Sequence, residues 1–268
     1  MDPRATVEEV RAMFDDGRAD EAAAALADLW RGMADPAEPW RPMRSSLLAN
    51  LLTRAAAAGP TARRLVESLR HESSPPQGPD PGDHLAVREW CTLNIALGQA
   101  DRTLSWLDRV ESDPAAMQLL RPLTGFIPYI LRQAGRWSDM ARWFPNPAGA
   151  VRQAYAVAAS WLQRLDSDSA HLEPTIRAFA RDRAALVYAS LLAAGRDAEA
   201  VAAAELAATL DAEPARLRSV LVTTAVRSAT QAREHQLDWL AAVGDRGEQA
   251  LELRERITEL LQPRDHEA

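Results

Sequence analysis

The stretch LVYASLLAAGRDAEAVAAAELAATLD, residues 186–211, leaves the chain few choices of fold. Alanine and leucine dominate it, and both are strong helix formers. Leu186, Val187, Ser190, Leu191 and Ala194 recur at three- and four-residue steps, the spacing of one helical face. Gly195 then interrupts, offering the left-handed conformation that a helix end wants. Asp197 is placed to cap a following helix, and Glu199 suits that helix's positive end. Ala200, Val201, Ala204, Ala207 and Ala208 share a face of the second helix, and their small side chains let two helices approach closely. Asp211 and Pro214 close the unit. The pattern predicts a helical hairpin.

Its centre recurs. Gly17-Arg18-Ala19-Asp20-Glu21-Ala22 is followed by Asp35-Pro36, and Gly98-Gln99-Ala100-Asp101 by Asp113-Pro114. A fainter copy is Gly135-Arg136-Trp137-Ser138-Asp139. With Gly195 to Ala200, Ala207 and Asp211, these stretches resemble the helix-turn-helix core of the tetratricopeptide repeat. The resemblance covers roughly half of the chain. The closing proline is displaced to position 214, the glycines are unevenly spaced, and most of the family's first-helix Trp and Tyr positions are filled by other residues. The resemblance therefore implies a degenerate array with insertions: an all-α, right-handed α-solenoid of antiparallel helix hairpins. It also implies a concave groove, lined by first helices, that binds a peptide or protein partner. Carried over residue by residue, the groove positions are Arg88 and Thr92 before Gly98, Tyr129 and Arg132 before Gly135, and Ala185 and Ala189 before Gly195. Arginine offers forked donors and tyrosine offers area with one hydroxyl. The alanine pair suits an apolar side chain.

Along the chain, residues 1–72 read as N-terminal helical hairpins, the first at 5–33 and the second a pair of helices at 41–58 and 60–72. Asp35-Pro36 and Glu38-Pro39 close the first hairpin, and Gly59-Pro60 punctuates the second. Residues 73–83, SSPPQGPDPGD, carry four prolines and two glycines and no aliphatic side chain. They read as a flexible linker between domains or as a surface loop in one continuous stack. Residues 84–262 form the repeat-like region. Within it Pro128 kinks or starts a helix, 137–144 is a short aromatic helix, and 213–243 reads as one long helix ended by Gly244. Residues 248–261 alternate Ala250, Leu253, Ile257 and Leu260 with charged positions, as a capping helix needs. Residues 263–268 are a fraying tail.

Several function classes fall away. The net charge is −7, which argues against a dedicated nucleic-acid binder. All 31 basic residues are arginine. The chain thus lacks the lysine of a phosphate-binding loop, a kinase or a Schiff base. Cys91 is the sole cysteine and reads as a buried, inert thiol. His71, His84, His171, His235 and His266 show no ligand spacing and read as surface residues. Asp15, Asp16, Asp20 and Glu21 flank a turn at Gly17 and read as solvated acids rather than a magnesium site. No catalytic residue, metal or cofactor is expected. No leader and no membrane span is legible, so a cytoplasmic protein is expected, of bacterial composition. The sequence reading is a non-catalytic adaptor or scaffold. The alternative is a helical-repeat base-excision glycosylase, with Trp30, Trp90, Trp106, Trp137, Trp143 and Trp161 lining a base-stacking groove.

Overall fold

A computed structural model describes residues 3–34, 40–73, 78–167, 169–242 and 248–262. The expected closures at Asp35-Pro36 and Glu38-Pro39, the break at Gly244, His266 and the tail 263–268 lie outside the described residues. Among the described residues every regular element is helical, in keeping with the all-α expectation. None of these helices is long and apolar enough to cross a membrane. The chain divides into two units, Met1–Ile127 and Pro128–Ala268.

The first unit holds α1 (Pro3–Asp15), α2 (Ala19–Gly32), α3 (Arg44–Ala58), α4 (Pro60–Ser73), α5 (His84–Ala96), α6 (Ala100–Val110) and α7 (Pro114–Leu119). From α2 to α5 each helix packs against the next and the next but one. Val10, Leu26, Trp30, Leu48, Leu52, Val66, Leu69 and Leu93 are buried together there. A buried ion pair crosses this core. Arg44 forks onto Glu89, donates to the Trp30 carbonyl at 2.8 Å, and stacks over the Trp30 ring. The 73–83 stretch lies within this unit. Of its described part, Pro79 is buried and Gly78, at φ +97°, sits close against the Trp106 ring, while Asp80, Gly82 and Asp83 are exposed.

α8 (Ile127–Gln133) begins where the units divide, with Pro128 in its first turn. The second unit continues with α9 (Trp137–Met140), α10 (Pro147–Leu162), α11 (Glu173–Ala193), α12 (Asp197–Leu210), α13 (Pro214–Thr223), α14 (Glu234–Ala242) and α15 (Glu248–Leu261). α10, α11, α12 and α13 pack in the same next and next-but-one pattern. α11 is the centre of the unit, touching α9, α10, α12 and α13. Every residue from Ala184 to Leu192 is buried, as expected of a helix that is apolar all round. α15 buries Ala250, Leu253 and Ile257 and exposes Leu251, so one face is covered and the other meets water.

Four corners share one geometry. Gly17, Gly98, Gly135 and Gly195 all sit at φ between 68° and 76°. At each, the glycine amide donates three residues back and the next amide donates five residues back, as in Arg196 to the Leu191 carbonyl at 2.9 Å. This hydrogen-bond pair closes the preceding helix and launches the next.

Two local expectations are corrected. Asp197 does not cap α12; its carboxylate instead accepts from Arg233 Nε at 2.5 Å. The long helix at 213–243 is broken. After α13 the chain widens into a π turn at Thr224–Ser228, and Thr230 takes φ 53° before α14 starts. The β-branched run Val220, Val222, Thr223, Thr224 and Val226 crowds a regular helix, which is where the ladder gives way.

Candidate functional site

The second unit contains a cleft of about 360 Å³ built by α10, α11 and the end of α12. Pro147 and the Asn146 side chain, which accepts from the Gly149 amide at 2.9 Å, start α10. Arg152, Tyr155, Ala156 and Ala159 then follow at helical spacing along one face and line the cleft. Ala158, Ala180, Leu162 and Leu210 make its apolar lining, and Arg177 joins Arg152 at its edge. Alanines on both helices keep the space open, because nothing longer projects from those positions.

The polar end of the cleft is a closed network. Arg181 donates through Nε and one terminal nitrogen to the two Asp211 oxygens at 2.9 and 2.8 Å, and reaches Glu213 at 3.3 Å. The Arg181 and Asp211 side chains are only 4% and 3% exposed. The Tyr155 hydroxyl donates to Asp211 at 2.8 Å, and the Glu213 amide donates to Asp211 Oδ1 at 2.8 Å. Burial alone would raise the Asp211 carboxyl; the Arg181 hydrogen bonds, the Glu213 amide and Tyr155 together hold it below its ordinary value. Burial, then Asp211, push the Tyr155 phenol above the usual tyrosine range. Tyr155 therefore stays protonated, and its hydroxyl donates a hydrogen bond to the Asp211 carboxylate. These groups tie α10 and α11 to the exit of α12, with no free nucleophile among them.

The guanidinium at the rim is different. Arg152 is exposed and has no hydrogen-bond or ion-pair partner among the described residues. Arg177 is paired with Glu173 at 2.8 Å. An apolar cavity with an unpaired arginine at its edge suits an apolar side chain next to a carboxylate.

The groove positions drawn from the repeat resemblance fare unevenly. Arg88 and Thr92 lie in the first unit, Tyr129 and Arg132 in the second. Thr92 is buried and donates to the Arg88 carbonyl of its own helix at 2.8 Å. Half-buried Arg88 stacks over Phe126 at 5.7 Å and points one nitrogen at the Pro42 carbonyl, 3.4 Å away. Half-buried Tyr129 lies under the Arg183 guanidinium, and Arg132 is half-buried. Ala185 and Ala189 are fully enclosed in α11 and present no groove surface. Alanine spacing alone cannot distinguish a groove wall from the inside of a central helix.

Of the aromatic candidates, Trp30, Trp90, Trp106, Trp137 and Trp143 are core residues. Trp161 stands 42% exposed beside Phe179, ring centroids 5.0 Å apart. His235 is not a plain surface histidine. It is half-buried, hydrogen-bonded to the Tyr188 hydroxyl at 2.8 Å and edge-on to Trp239. Two of the acids near Gly17 are drawn into separate ion pairs, Asp15 with Arg54 and Glu21 with Arg18. Among the described residues no three His, Cys, Asp or Glu side chains converge as metal ligands. Cys91 is fully buried, and burial pushes its thiol up to about 12.

Comparison of the chain with protein-family models, with curated proteins and with solved structures yields no match.

Sequence reasoning missed the cleft. The one signal available was the arginine–alanine–leucine spacing of residues 152–162, which reads equally well as an ordinary amphipathic helix.

Proposed function

We propose that this chain is a non-catalytic, tetratricopeptide-like helical-repeat module that binds a segment of a partner protein. The backbone geometry shared by the four glycine corners and the next-but-one helix packing within each unit support the repeat reading. The binding surface is the α10–α12 cleft. Its occupant is a peptide with a leucine- or phenylalanine-sized side chain followed closely by an acidic residue. The observation that carries this is the unpaired Arg152 beside an open apolar lining in a protein whose other rim and floor charges are matched. A preformed cleft on rigid helices costs the receptor little ordering on binding. A cytoplasmic setting goes with such an adaptor and with its single cysteine.

The test uses fluorescein-labelled octapeptides with one central Leu or Phe and zero, one or two adjacent Glu, read by anisotropy. Peptides with both features are expected to bind. Ala159→Trp, which fills the cleft from an exposed position, is expected to abolish binding. Arg152→Glu is expected to weaken acidic peptides by about tenfold and leave neutral ones unchanged. Equal affinity for every peptide, or indifference to Ala159→Trp, rules the cleft out.

A further inference from the structure

The four glycine corners differ in charge. At three of them the residue after glycine is an arginine that pairs with an acid three positions later. These are Arg18–Glu21 at 2.5 Å, Arg136–Asp139 at 2.7 Å and Arg196–Glu199 at 2.6 Å. At the Gly98 corner the order is changed: Gln99 stands in the arginine position and Arg102 in the acid position. Arg70, arriving from α4, donates to the Gln99 side-chain oxygen.

The result is two guanidinium groups where the other corners have one guanidinium and one carboxylate. Arg70 is only 7% exposed, and among the described residues its hydrogen-bond partner is the neutral Gln99 amide. Arg102 is exposed and has no hydrogen-bond or ion-pair partner among the described residues. The nearby acid Glu67 is engaged by Arg63 at 3.3 Å, and Arg63 also donates to the Leu97 carbonyl at 2.8 Å. Arg70, Gln99, Asp101 and Arg102 bound an open cavity of about 420 Å³ with Gly98 at its edge. Burial, followed by the repulsion of Arg102, pulls the Arg70 guanidinium below its ordinary value. A buried cation facing a second cation is costly unless an anion joins them.

We propose that the cavity bounded by Arg70, Gln99, Asp101 and Arg102 is a binding site for a phosphate group, free or carried as a phosphomonoester on a small molecule. A single carboxylate balances one arginine, as at the sister corners. Two arginines offer forked donors to the several acceptor oxygens of phosphate, which a single carboxylate or chloride does not use. Asp101 also lines the cavity, so the lining carries one positive charge in excess. The protein is acidic overall, so phosphate is drawn by this cavity and not by a general basic surface. The site is independent of the α10–α12 cleft, and neither reading needs the other.

The experiment is isothermal titration calorimetry of the full chain with inorganic phosphate and with O-phosphoserine, against sodium chloride at matched ionic strength. Binding of at least one phosphate compound is expected. Similar affinity for both assigns the site to free phosphate, and tighter binding of phosphoserine assigns it to an ester. Arg102→Glu rebuilds the charge pattern of the other corners and supplies Arg70 with an internal anion. It is expected to fold and to weaken phosphate binding by at least about tenfold. Arg121→Glu, the same charge change at an exposed position in the same unit, is expected to bind like the wild type. Binding of neither compound, or an Arg102→Glu affinity within about twofold of wild type, overturns the proposal.

Discussion

Asp211→Ala removes the carboxylate that holds the cleft's polar end together. Arg181 then stays buried, its two short hydrogen bonds to Asp211 lost, and Tyr155 loses its acceptor. Breaking one side of a buried pair costs about 3–5 kcal/mol, because the remaining charge is left without compensation. The structure places the cost at the low end, about 3 kcal/mol, since Glu213 already lies 3.3 Å from Arg181 and can take up part of its charge. The double variant Arg181→Met with Asp211→Ala leaves no buried charge and is expected to recover at least half of that loss. Urea unfolding followed by circular dichroism gives both values. A pH series adds a sign. The folded Asp211 carboxyl lies below its ordinary 3.8, so its contribution is present above that pH and is lost as the pH falls through the depressed value. Wild type should therefore lose stability in acid more steeply than Asp211→Ala. A single variant within about 0.5 kcal/mol of wild type, or a double variant no better than the single, would refute the idea that this pair is a buried, interdependent unit.

Gly195→Ala meets no atom within 4 Å of the new Cβ, so it pays only for the left-handed backbone, about 1–2 kcal/mol. Gly78→Ala has the same backbone problem and also drives a methyl into the Trp106 ring; about 2–4 kcal/mol is expected, and equal losses for the two variants in chemical denaturation would mean the Trp106 contact is absent. Cys91 should resist a thiol reagent at pH 8 in the folded protein and react fully in 6 M guanidinium; rapid labelling of the native state would contradict its burial. Burial first, then Arg233, hold the His235 imidazole below its ordinary 6.5, against the opposing pull of Asp197, Asp238 and Glu205. Its contribution is therefore full above pH 6.5 and declines as the pH falls toward the depressed value, a decline that His235→Gln should remove from the melting-temperature profile.

The helices and their glycine corners were legible because local forces make them. Alanine-rich runs, proline in first turns and a left-handed glycine act over a few residues. The buried ion pairs were not legible. Arg44, Glu89, Arg181 and Asp211 look like surface charges in a linear pattern, and only packing between helices far apart in sequence encloses them. The same limit applies to Ala185 and Ala189. Their spacing alone marks them as candidate groove residues, but α11 is surrounded by four helices, so both are enclosed in the core. The cleft depends on what three helices leave empty, and absence of side-chain bulk has no sequence mark of its own. The break at Thr230 was hidden because the apolar period continues across it.

The most direct measurement is amide chemical-shift mapping of the full chain with a bound octapeptide containing Leu next to Glu. Shifts concentrated at Arg152, Tyr155, Ala156, Ala159, Arg177 and Leu210 are the expected result. Shifts centred on Arg88 and Thr92, or spread over both units with none at α10, would contradict the assignment of this cleft as the binding surface.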